Sequence, residues 1–403
     1  MRARPAVDTE AVSDEGFDPY APSSTARLAA MAKARASGGL IETSAGYYVA
    51  TAAGVQAGLR DVDKFVGSFM DTSGLAEEDT VVSAIPEPRH GRIRRIINTV
   101  IAVHRTIQAE PFIGAEARRL VAIAVDAAAS GPVDLVNAVV DPLPSTVIAH
   151  MLGVPVDHQE RFRAWSDELL EAQSAGEAAP LADFHPEFAA YIQQQIDQRR
   201  AMAEPPDDII TRFLQTDVEG EYLTDAAICT QTMNLIIAGN ETTRNLIGNC
   251  LYTLATSAEL YGRVRGDRGL IPNVVEESLR LDAPVQVLGR AVVVDTAIEG
   301  CPLKKGDRVV FGLASANRDE RLHDDPDEFR LDRPRQRDHV AFGAGPHICP
   351  GASLARLETV ATLEAFCERV VAFRLVDNFE PEPNPVFWAH GHRRLPAVLT
   401  PAT

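Results

Sequence analysis

The sequence predicts a mainly α-helical protein with a small β region. Three observations favour this class: segments with helical periodicity outnumber the strand-like runs, one helical run covers about 32 residues, and the strand-like runs are short and few. The 403 residues carry a net charge of −18, with 45 % hydrophobic and 24 % charged residues. This composition is typical of a globular protein with a large core. The negative charge argues against non-specific binding of nucleic acid or anionic membranes.

The chain begins with a stretch rich in Pro, Ala and acidic residues, 1–24, which we predict to be an extended arm preceding one domain over 25–403. The N-terminus lacks the apolar segment of a signal peptide, and no stretch approaches the ~18 apolar residues of a membrane span. The five scattered cysteines favour a reducing compartment. We therefore expect a cytoplasmic protein without a membrane anchor, and we predict a monomer.

Hydrophobic periodicity and end signals place the elements in order. The predicted helices cover 25–36, 111–129, 157–172, 184–202, 224–256 and 352–368. Aromatic and β-branched residues predict strands at 46–51 and 307–311. The segments 65–85 and 173–183 lack a regular pattern and are predicted to be loops. Long irregular segments in compact proteins are usually functional or mobile.

One short stretch late in the chain carries the chemistry. Residues 342–351, FGAGPHICPG, form a tight loop around Cys349, because Gly reaches positive φ freely and Pro fixes φ. A helix is predicted directly after the loop, and its N-terminus would favour a thiolate, the form that binds metal. A single cysteine fits the one axial bond of haem better than zinc or an iron–sulfur cluster. The alternative is a Gly-rich turn around an inert buried cysteine.

The loop resembles the cysteine-ligand loop of the cytochrome P-450 family, the haem-thiolate monooxygenases, in its soluble bacterial type. The family pattern F-G-x-G-x-H-x-C-x-G is met at every fixed position. The resemblance implies the cytochrome P-450 fold, with haem b (iron protoporphyrin IX) between a long central helix and the loop. It implies that Cys349 is the iron ligand. It also implies that Phe342, Gly343, His347 and Gly351 contribute to cofactor binding.

The long helix predicted over 224–256 has poor helix formers at its centre, where residues 237–243 read IAGNETT. Glycine in a helix costs about 1 kcal/mol relative to alanine, so this composition needs a reason. It is similar to the family pattern [AG]-G-x-[DE]-T, which implies that the helix opens locally beside bound dioxygen. Ala238 and Gly239 would then give room, Glu241 would bring protons inward, and Thr242 would hydrogen-bond near the oxygen. The alternative is a helix that tolerates one glycine, with Glu241 on a wet face.

Basic residues elsewhere match the family's haem-propionate ligands. His90 and Arg94 are four residues apart and share one helix face, where two donors can bind carboxylates. The resemblance assigns them to the propionates, together with Arg290 and His347; the alternative is a plain basic helix face. Glu277 and Arg280, at i and i+3, match the family's buried structural pair, which Arg333 completes.

The resemblance also implies a substrate pocket. The candidate substrate contacts are Phe65, Phe69, Asn234, Ile237, Val287, Leu288 and Phe387. An alternative for Phe65 and Phe69 is that they anchor their loop to the core, and Phe387 could equally belong to hairpin packing. The pocket is mostly apolar, which suits a terpenoid, steroid, fatty acid or aromatic compound.

The function implied is a monooxygenase that inserts one atom of dioxygen into an apolar small molecule, by hydroxylation or epoxidation. The chain has no flavin or nicotinamide fingerprint, so its electrons would come from NAD(P)H through a ferredoxin reductase and a ferredoxin. Arginines flanking the cysteine-side motifs suit an acidic ferredoxin: Arg92, Arg95, Arg105, Arg335, Arg337 and Arg356. The alternative is that these arginines are dispersed over the surface.

Two rival functions keep the haem-thiolate site. A peroxygenase or isomerase would need no acid and alcohol to activate dioxygen, and the intact pair Glu241–Thr242 argues against it. A non-catalytic haem-thiolate sensor or binding protein would form no product with any ferredoxin system.

Overall fold

The computed structural model describes residues 12–13, 24–43, 46–67, 74–101, 103–174, 179–382, 386 and 388–402. Its helices are α1 (Ser24–Ala36), α2 (Ala52–Arg60), α3 (Arg89–Val100), α4 (Val103–Ala127), α5 (Pro142–Met151), α6 (Gln159–Ser174), α7 (Leu181–Phe184), α8 (Pro186–Ala201), α9 (Ile209–Gln215), α10 (Asp225–Thr256), α11 (Ala258–Gly266), α12 (Ile271–Leu281), α13 (Leu313–Ala316) and α14 (Ala352–Arg369). The predicted class, mainly helical with a small β region, is confirmed.

The strands are short and form three sheets. Their bounds are β1 (Val12–Ser13), β2 (Leu40–Thr43), β3 (Gly46–Val49), β4 (Phe65–Gly67), β5 (Val133–Asp134), β6 (Val287–Val292), β7 (Thr296–Ile298), β8 (Cys301–Leu303), β9 (Arg308–Gly312), β10 (Val370–Leu375) and β11 (Pro396–Pro401). The largest sheet has the order β1-β2-β3-β9-β6-β4, a second has β10-β11-β5, and β7 pairs with β8. Because β6 lies inside the large sheet, antiparallel to β9, its register is fixed and Arg290 stands opposite Val309.

The two helices that matter most for the site agree with the sequence. Helix α10 begins after Thr224, whose Oγ1 accepts a hydrogen bond from the Ala227 amide at 3.2 Å. Helix α14 begins at Ala352, three residues after Cys349. The prediction of an extended arm over 1–24 falls almost wholly outside the described residues, so the boundary at residue 25 stays a prediction.

Several predicted boundaries were wrong, including the loop over 65–85, whose first three residues form β4 and pair with β6. Helix α4 begins at Val103, so Pro111 lies inside it; packing against α14 and α5 compensates for the missing hydrogen bond. The helix predicted over 184–202 is divided, because Pro186 begins α8 and the His185 side chain caps it, its Nδ1 accepting from the Phe188 amide at 3.2 Å. The strand predicted over 46–51 ends at Val49, because Thr51 caps α2.

The long helix α10 connects two apolar cores. Its first half contributes residues such as Met233 and Ile236 to a core shared with α3, α6, α8 and α9. Its second half contributes Leu246 and Leu251 to a core shared with α4, α5, α12 and α14. The turns between them, residues 238–243, belong to neither core. The unusual residues of α10 therefore lie where apolar packing does not constrain them.

Among the described helices, none is both long and apolar enough to span a bilayer.

Candidate active site

The loop 342–351 is held in a fixed shape by its own backbone. The Cys349 amide donates to the Phe342 carbonyl at 2.9 Å, and the Gly343 amide donates to the Val340 carbonyl at 2.8 Å. Gly343 and Gly345 have φ of +74° and +71°, which other residues rarely adopt. A Cβ on Gly345 would also lie 2.8 Å from the Leu59 carbonyl oxygen of α2. Both glycines are thus required for the loop to close around Cys349.

The Cys349 sulfur lies among groups with opposing effects on its charge. Burial is the largest effect and raises the pKa of the Cys349 thiol. The Gly351 amide and the positive charges of Arg94 and Arg356 act in the opposite direction. The predicted preference for a thiolate is therefore not met by the protein alone, and a metal cation bound to the sulfur would supply the missing positive charge.

Four basic side chains meet beside this loop. The rings of His90 and His347 stack with centroids 3.8 Å apart. Arg94 donates to the Ile348 carbonyl, joining α3 to the loop, and Arg290 donates to the Gly289 carbonyl at 2.8 Å. His90, Arg94 and Arg290 are at least nine-tenths buried. The sequence-predicted propionate ligands are thus brought together around Cys349.

This cluster has more positive than negative groups. Burial lowers the pKa of Arg290 to about 10. Burial and the neighbouring His90, Arg290 and Arg94 lower the pKa of His347 to about 3. Glu87, whose Oε1 lies 2.8 Å from His90 Nδ1, is the one carboxylate bonded to the cluster among the described residues. Buried cations without counter-ions are costly, so the site suits a ligand that brings carboxylates.

Haem fits this arrangement, because its two propionates supply the missing negative charge and its iron suits the single cysteine. Two further observations agree. His90 Nε2 is buried and has no hydrogen-bond partner among the described residues. On α10, a Cβ added to Gly239 would meet no atom within 4 Å, and Ala238 is exposed between the buried Ile237 and Asn240. The helix therefore borders open space at this turn.

Glu241 and Thr242 follow this open turn. Glu241 is 2 % exposed, and Thr242 is half-buried. The local opening of the helix that the resemblance implied is not present, because α10 is α-helical from Asp225 to Thr256. Instead the Thr242 hydroxyl donates to the Ala238 carbonyl at 2.6 Å. This bond satisfies the hydroxyl within the helix, and it must exchange before Thr242 can donate to a ligand.

The sequence did not identify the groups that hold Glu241. Asn245 Nδ2 donates to Glu241 Oε1 at 2.9 Å, and Arg244 contacts Glu241 Oε2. Arg244 Nη1 also lies 3.3 Å from Asp167 Oδ1 and 3.9 Å from Asp141 Oδ1. Burial raises the pKa of Asp141 to about 6, against the opposing charge of Arg244. Helical spacing at i+3 and i+4 would have revealed Arg244 and Asn245, whereas Asp141 and Asp167 come from elsewhere in the fold.

The predicted structural pair is buried in the interior. Glu277 and Arg280 are both fully buried, with Arg280 Nη2 2.8 Å from Glu277 Oε1. Arg333 Nε donates to the same oxygen at 3.0 Å. Arg280 also donates to the carbonyls of Asn317 and Glu328, both at 3.0 Å. This network ties α12 to the segment before the cysteine loop.

The candidate substrate contacts do not form one group. Phe65 is buried and packs edge-on against Phe311, with ring centroids 5.5 Å apart, as expected for an anchoring role. Val287 and Ile237 also belong to apolar cores. Leu288 and Asn234 are half-buried, and Leu288 Cδ1 would lie 3.8 Å from a Cβ on Gly343. Phe69 and Phe387 lie outside the described residues.

Comparison with known proteins gives separate evidence on the family of the chain. The family model for cytochrome P450 matches residues 60–383. Cytochrome P450 109 of Bacillus spizizenii is 32 % identical over 342 residues, 82 % of each chain. The steroid C26-monooxygenase of Mycolicibacterium smegmatis is 32 % identical over 350 residues, 85 % of this chain and 86 % of its own. The crystal structure of CYP109E1 from Bacillus megaterium in complex with testosterone is similar with a TM-score of 0.81, at 30 % identity, covering 94 % of this chain and 99 % of its own.

The chain belongs to the cytochrome P450 family. It is therefore a haem-dependent monooxygenase, an oxidoreductase that incorporates one oxygen atom from dioxygen.

Proposed function

We propose that the protein hydroxylates or epoxidises an apolar small molecule of the terpenoid, steroid, fatty acid or aromatic class, with electrons from NAD(P)H through a ferredoxin reductase and a ferredoxin. The observation that carries the proposal is the buried basic cluster beside Cys349, to which Glu87 is the one carboxylate bonded in the described part of the chain. Bound there, haem supplies the activation of dioxygen and the transfer of one oxygen atom to the substrate.

The protein's own residues hold and orient the cofactor in this proposal. Cys349 binds the iron, and the loop residues Phe342, Gly343 and Gly351 shape its approach. Both arginines and both histidines of the basic cluster bind the propionates. Because Glu87 fixes His90 through Nδ1, the buried Nε2 remains available to a propionate. The hydrogen bond from Arg94 on α3 to the Ile348 carbonyl then fixes the position of the propionate site relative to the cysteine loop.

Proton movement is assigned to α10. Glu241 carries protons on its carboxylate, and Arg244 and Asn245 determine its position. The Thr242 hydroxyl can pass a proton on once it leaves the Ala238 carbonyl. Because Arg244 also faces Asp141 and Asp167, the carboxylates compete for one guanidinium, and exchange between them would let Glu241 move.

Three observations support an apolar substrate. Two proteins similar to this chain are named for steroids: one is a steroid C26-monooxygenase and the other was solved with testosterone. Leu288, beside the cysteine loop, offers apolar surface. Asn234, one turn before Ala238 on α10, is half-buried and offers one amide. An apolar pocket with few polar groups orients such a ligand.

The experiment is an optical titration of the purified ferric protein with testosterone, a monoterpene, palmitic acid and an aromatic hydrocarbon. We expect a thiolate-haem spectrum at rest and a shift to high spin with the compound class that fits. A Cys349→His variant is the control, because it should lose the thiolate spectrum while keeping a haem ligand. Absence of haem would overturn the central assignment, and haem that no compound shifts would overturn the proposed substrate classes.

A further inference from the structure

The exposed side of α3 carries a stripe of three arginines, Arg89, Arg92 and Arg95, spaced three residues apart. His90 and Arg94, on the other side of the same helix, are buried and face the cysteine loop. An acidic electron donor that approaches the cysteine side of the protein would therefore meet this stripe. The spacing puts the three guanidinium groups on one face of the helix.

The stripe is already occupied by carboxylates of the same chain. Arg95 Nη2 lies 3.0 Å from Glu219 Oε1, and Arg92 lies 3.5 Å from Glu219 and 3.7 Å from Glu221. Arg89 lies 2.5 Å from both Glu221 and Glu77. Three arginines thus meet three glutamates, and the stripe offers no net positive charge.

Glu219 and Glu221 belong to a small hairpin between α9 and α10. Val218 and Glu221 exchange two backbone hydrogen bonds, at 3.1 and 3.2 Å, and Asp217 accepts from the Gly220 amide at 2.8 Å. Glu219 and Gly220 have φ of +61° and +82°, so both lie in the left-handed region. Such turns favour Asn-Gly, and glutamate is a poor choice at the first position. The geometry of the turn does not explain why a glutamate is at position 219, whereas the contacts of Glu219 with Arg92 and Arg95 do.

These contacts are exchangeable, unlike others near the loop. Arg92 and Arg95 are 44 % and 57 % exposed, and Glu219 and Glu221 are 59 % and 45 % exposed, so their pairs contribute little stability. Arg89, which also contacts Glu221, is 26 % exposed, so this pair is the least accessible of the set. Arg356, by contrast, makes two bonds of 2.6 and 3.0 Å to the buried Glu276 and covers the Phe342 ring. An external acidic surface can therefore displace the hairpin from α3, but it cannot displace Glu276 from Arg356.

We propose that the hairpin 217–221 is an internal competitor for the arginine stripe of α3, and that an acidic redox protein binds there by displacing Glu219 and Glu221. The identity of the partner rests on the proposed ferredoxin-dependent function. That Glu219 and Glu221 mask the arginine stripe depends only on the contacts described above. Masking lowers affinity for polyanions in general, and it reserves the stripe for partners with enough carboxylates to replace both glutamates.

The test compares the full-length haem protein with a Glu219→Asn/Glu221→Gln variant, in which asparagine suits the left-handed turn. A Glu187→Gln/Asp377→Asn variant is the matched control, because it removes two carboxylates from exposed arginine pairs elsewhere. The first measurement is haem reduction under carbon monoxide as a function of the concentration of an acidic [2Fe–2S] ferredoxin. The second is binding of labelled poly-L-glutamate at low salt.

We expect the hairpin variant to reach half-maximal reduction at about fivefold less ferredoxin than the wild type, and to bind poly-L-glutamate about fivefold more tightly. The control should change neither quantity by more than its small net-charge effect. A hairpin variant that matches the control in both measurements overturns the masking. If no ferredoxin reduces the wild type, the proposed electron source is wrong, and poly-L-glutamate binding still decides whether the hairpin masks the stripe.

Discussion

At the scale of single residues, the site is defined by side chains whose hydrogen-bonding capacity is incompletely used. His90 and Arg94 lie one helical turn apart and are both buried, yet Glu87 occupies only one nitrogen of His90. Thr242 shows the opposite case, because its hydroxyl is satisfied by the Ala238 carbonyl. The basic cluster is therefore prepared for its ligand, whereas Thr242 must change its hydrogen bond to act.

The role proposed for Thr242 predicts uncoupling in a Thr242→Ala variant. Without the hydroxyl, α10 would deliver protons less well to the dioxygen chemistry that haem would supply, and electrons would be lost as hydrogen peroxide. We expect the product formed per NAD(P)H consumed to fall by at least about tenfold. Peroxide and product are quantified together in a ferredoxin-driven assay.

The matched control for that experiment is Thr243→Ala, one residue along α10, where the threonine is buried. The Thr243→Ala variant should form as much product per NAD(P)H consumed as the wild type. Equal coupling in the wild type and the Thr242→Ala variant would favour the peroxygenase alternative, in which peroxide-driven product formation needs no such hydroxyl.

At the scale of elements, the cysteine loop is fixed by the helices that flank it. Glu276 on α12 accepts two bonds from Arg356 on α14, and a third from His339 Nε2 at 3.0 Å, just before the loop. The Ala341 amide donates to His339 Nδ1 at 3.2 Å, which keeps the Nε2 proton directed at Glu276. One buried carboxylate thus joins α12, α14 and the segment leading into the loop.

This carboxylate predicts a pH-dependent stability. Burial acts to raise the pKa of Glu276, but the bonds from His339 and Arg356 outweigh it and lower the pKa to about 2, from an ordinary value of 4.5. Because the folded-state pKa is depressed, the stabilisation is complete above about pH 4.5 and is lost as the pH falls toward 2. The shift corresponds to about 3 kcal/mol.

We therefore expect a Glu276→Gln variant to unfold more easily than the wild type at pH 6, with the difference shrinking between pH 4.5 and the lowest pH at which the protein folds. Urea unfolding at several pH values measures this difference. Glu187→Gln, at an exposed pair, is the control and should show no such trend. A difference that stays constant with pH would mean that Glu276 acts by packing and not by its charge.

The features that the sequence predicted depend on neighbouring residues, and the features that it missed depend on contacts between distant segments. Helix α10 and the cysteine loop were predictable because capping, glycine chemistry and local spacing are encoded in neighbouring residues. Pro111 was assigned to a helix start because tertiary packing, not local preference, sustains α4 through it. Glu276 and Asp141 were missed because their partners come from distant segments. The residues around Glu241 show both cases, since Asn245 is local and Asp141 is not.

At the scale of the whole molecule, the distribution of charge matters more than its sum. The chain carries −18 overall, yet the surface near the cysteine loop includes the arginines predicted to receive a ferredoxin. The structure separates them by accessibility: Arg92 is 44 % exposed, and Arg337 is 75 % exposed with its Nε 3.5 Å from Glu276 Oε1. Arg356 is 25 % exposed and makes the shorter contact with Glu276, at 2.6 Å. The side chain of Arg105 lies outside the described residues. A test of docking should therefore avoid Arg356, whose loss would also disturb the loop.

We predict that an Arg92→Gln/Arg337→Gln variant receives electrons from an acidic ferredoxin less well than the wild type. Removing two exposed positive charges weakens attraction most at low ionic strength, where screening is least. We expect the KM for ferredoxin to rise several-fold at low salt and its dependence on salt to flatten, while the spectrum and substrate binding stay unchanged. Arg161→Gln/Arg374→Gln, at exposed ion pairs with Glu187 and Asp377, is the matched control. An unchanged KM at low salt would place the electron donor on another surface, and a KM that rises equally in the control would show that only net charge matters.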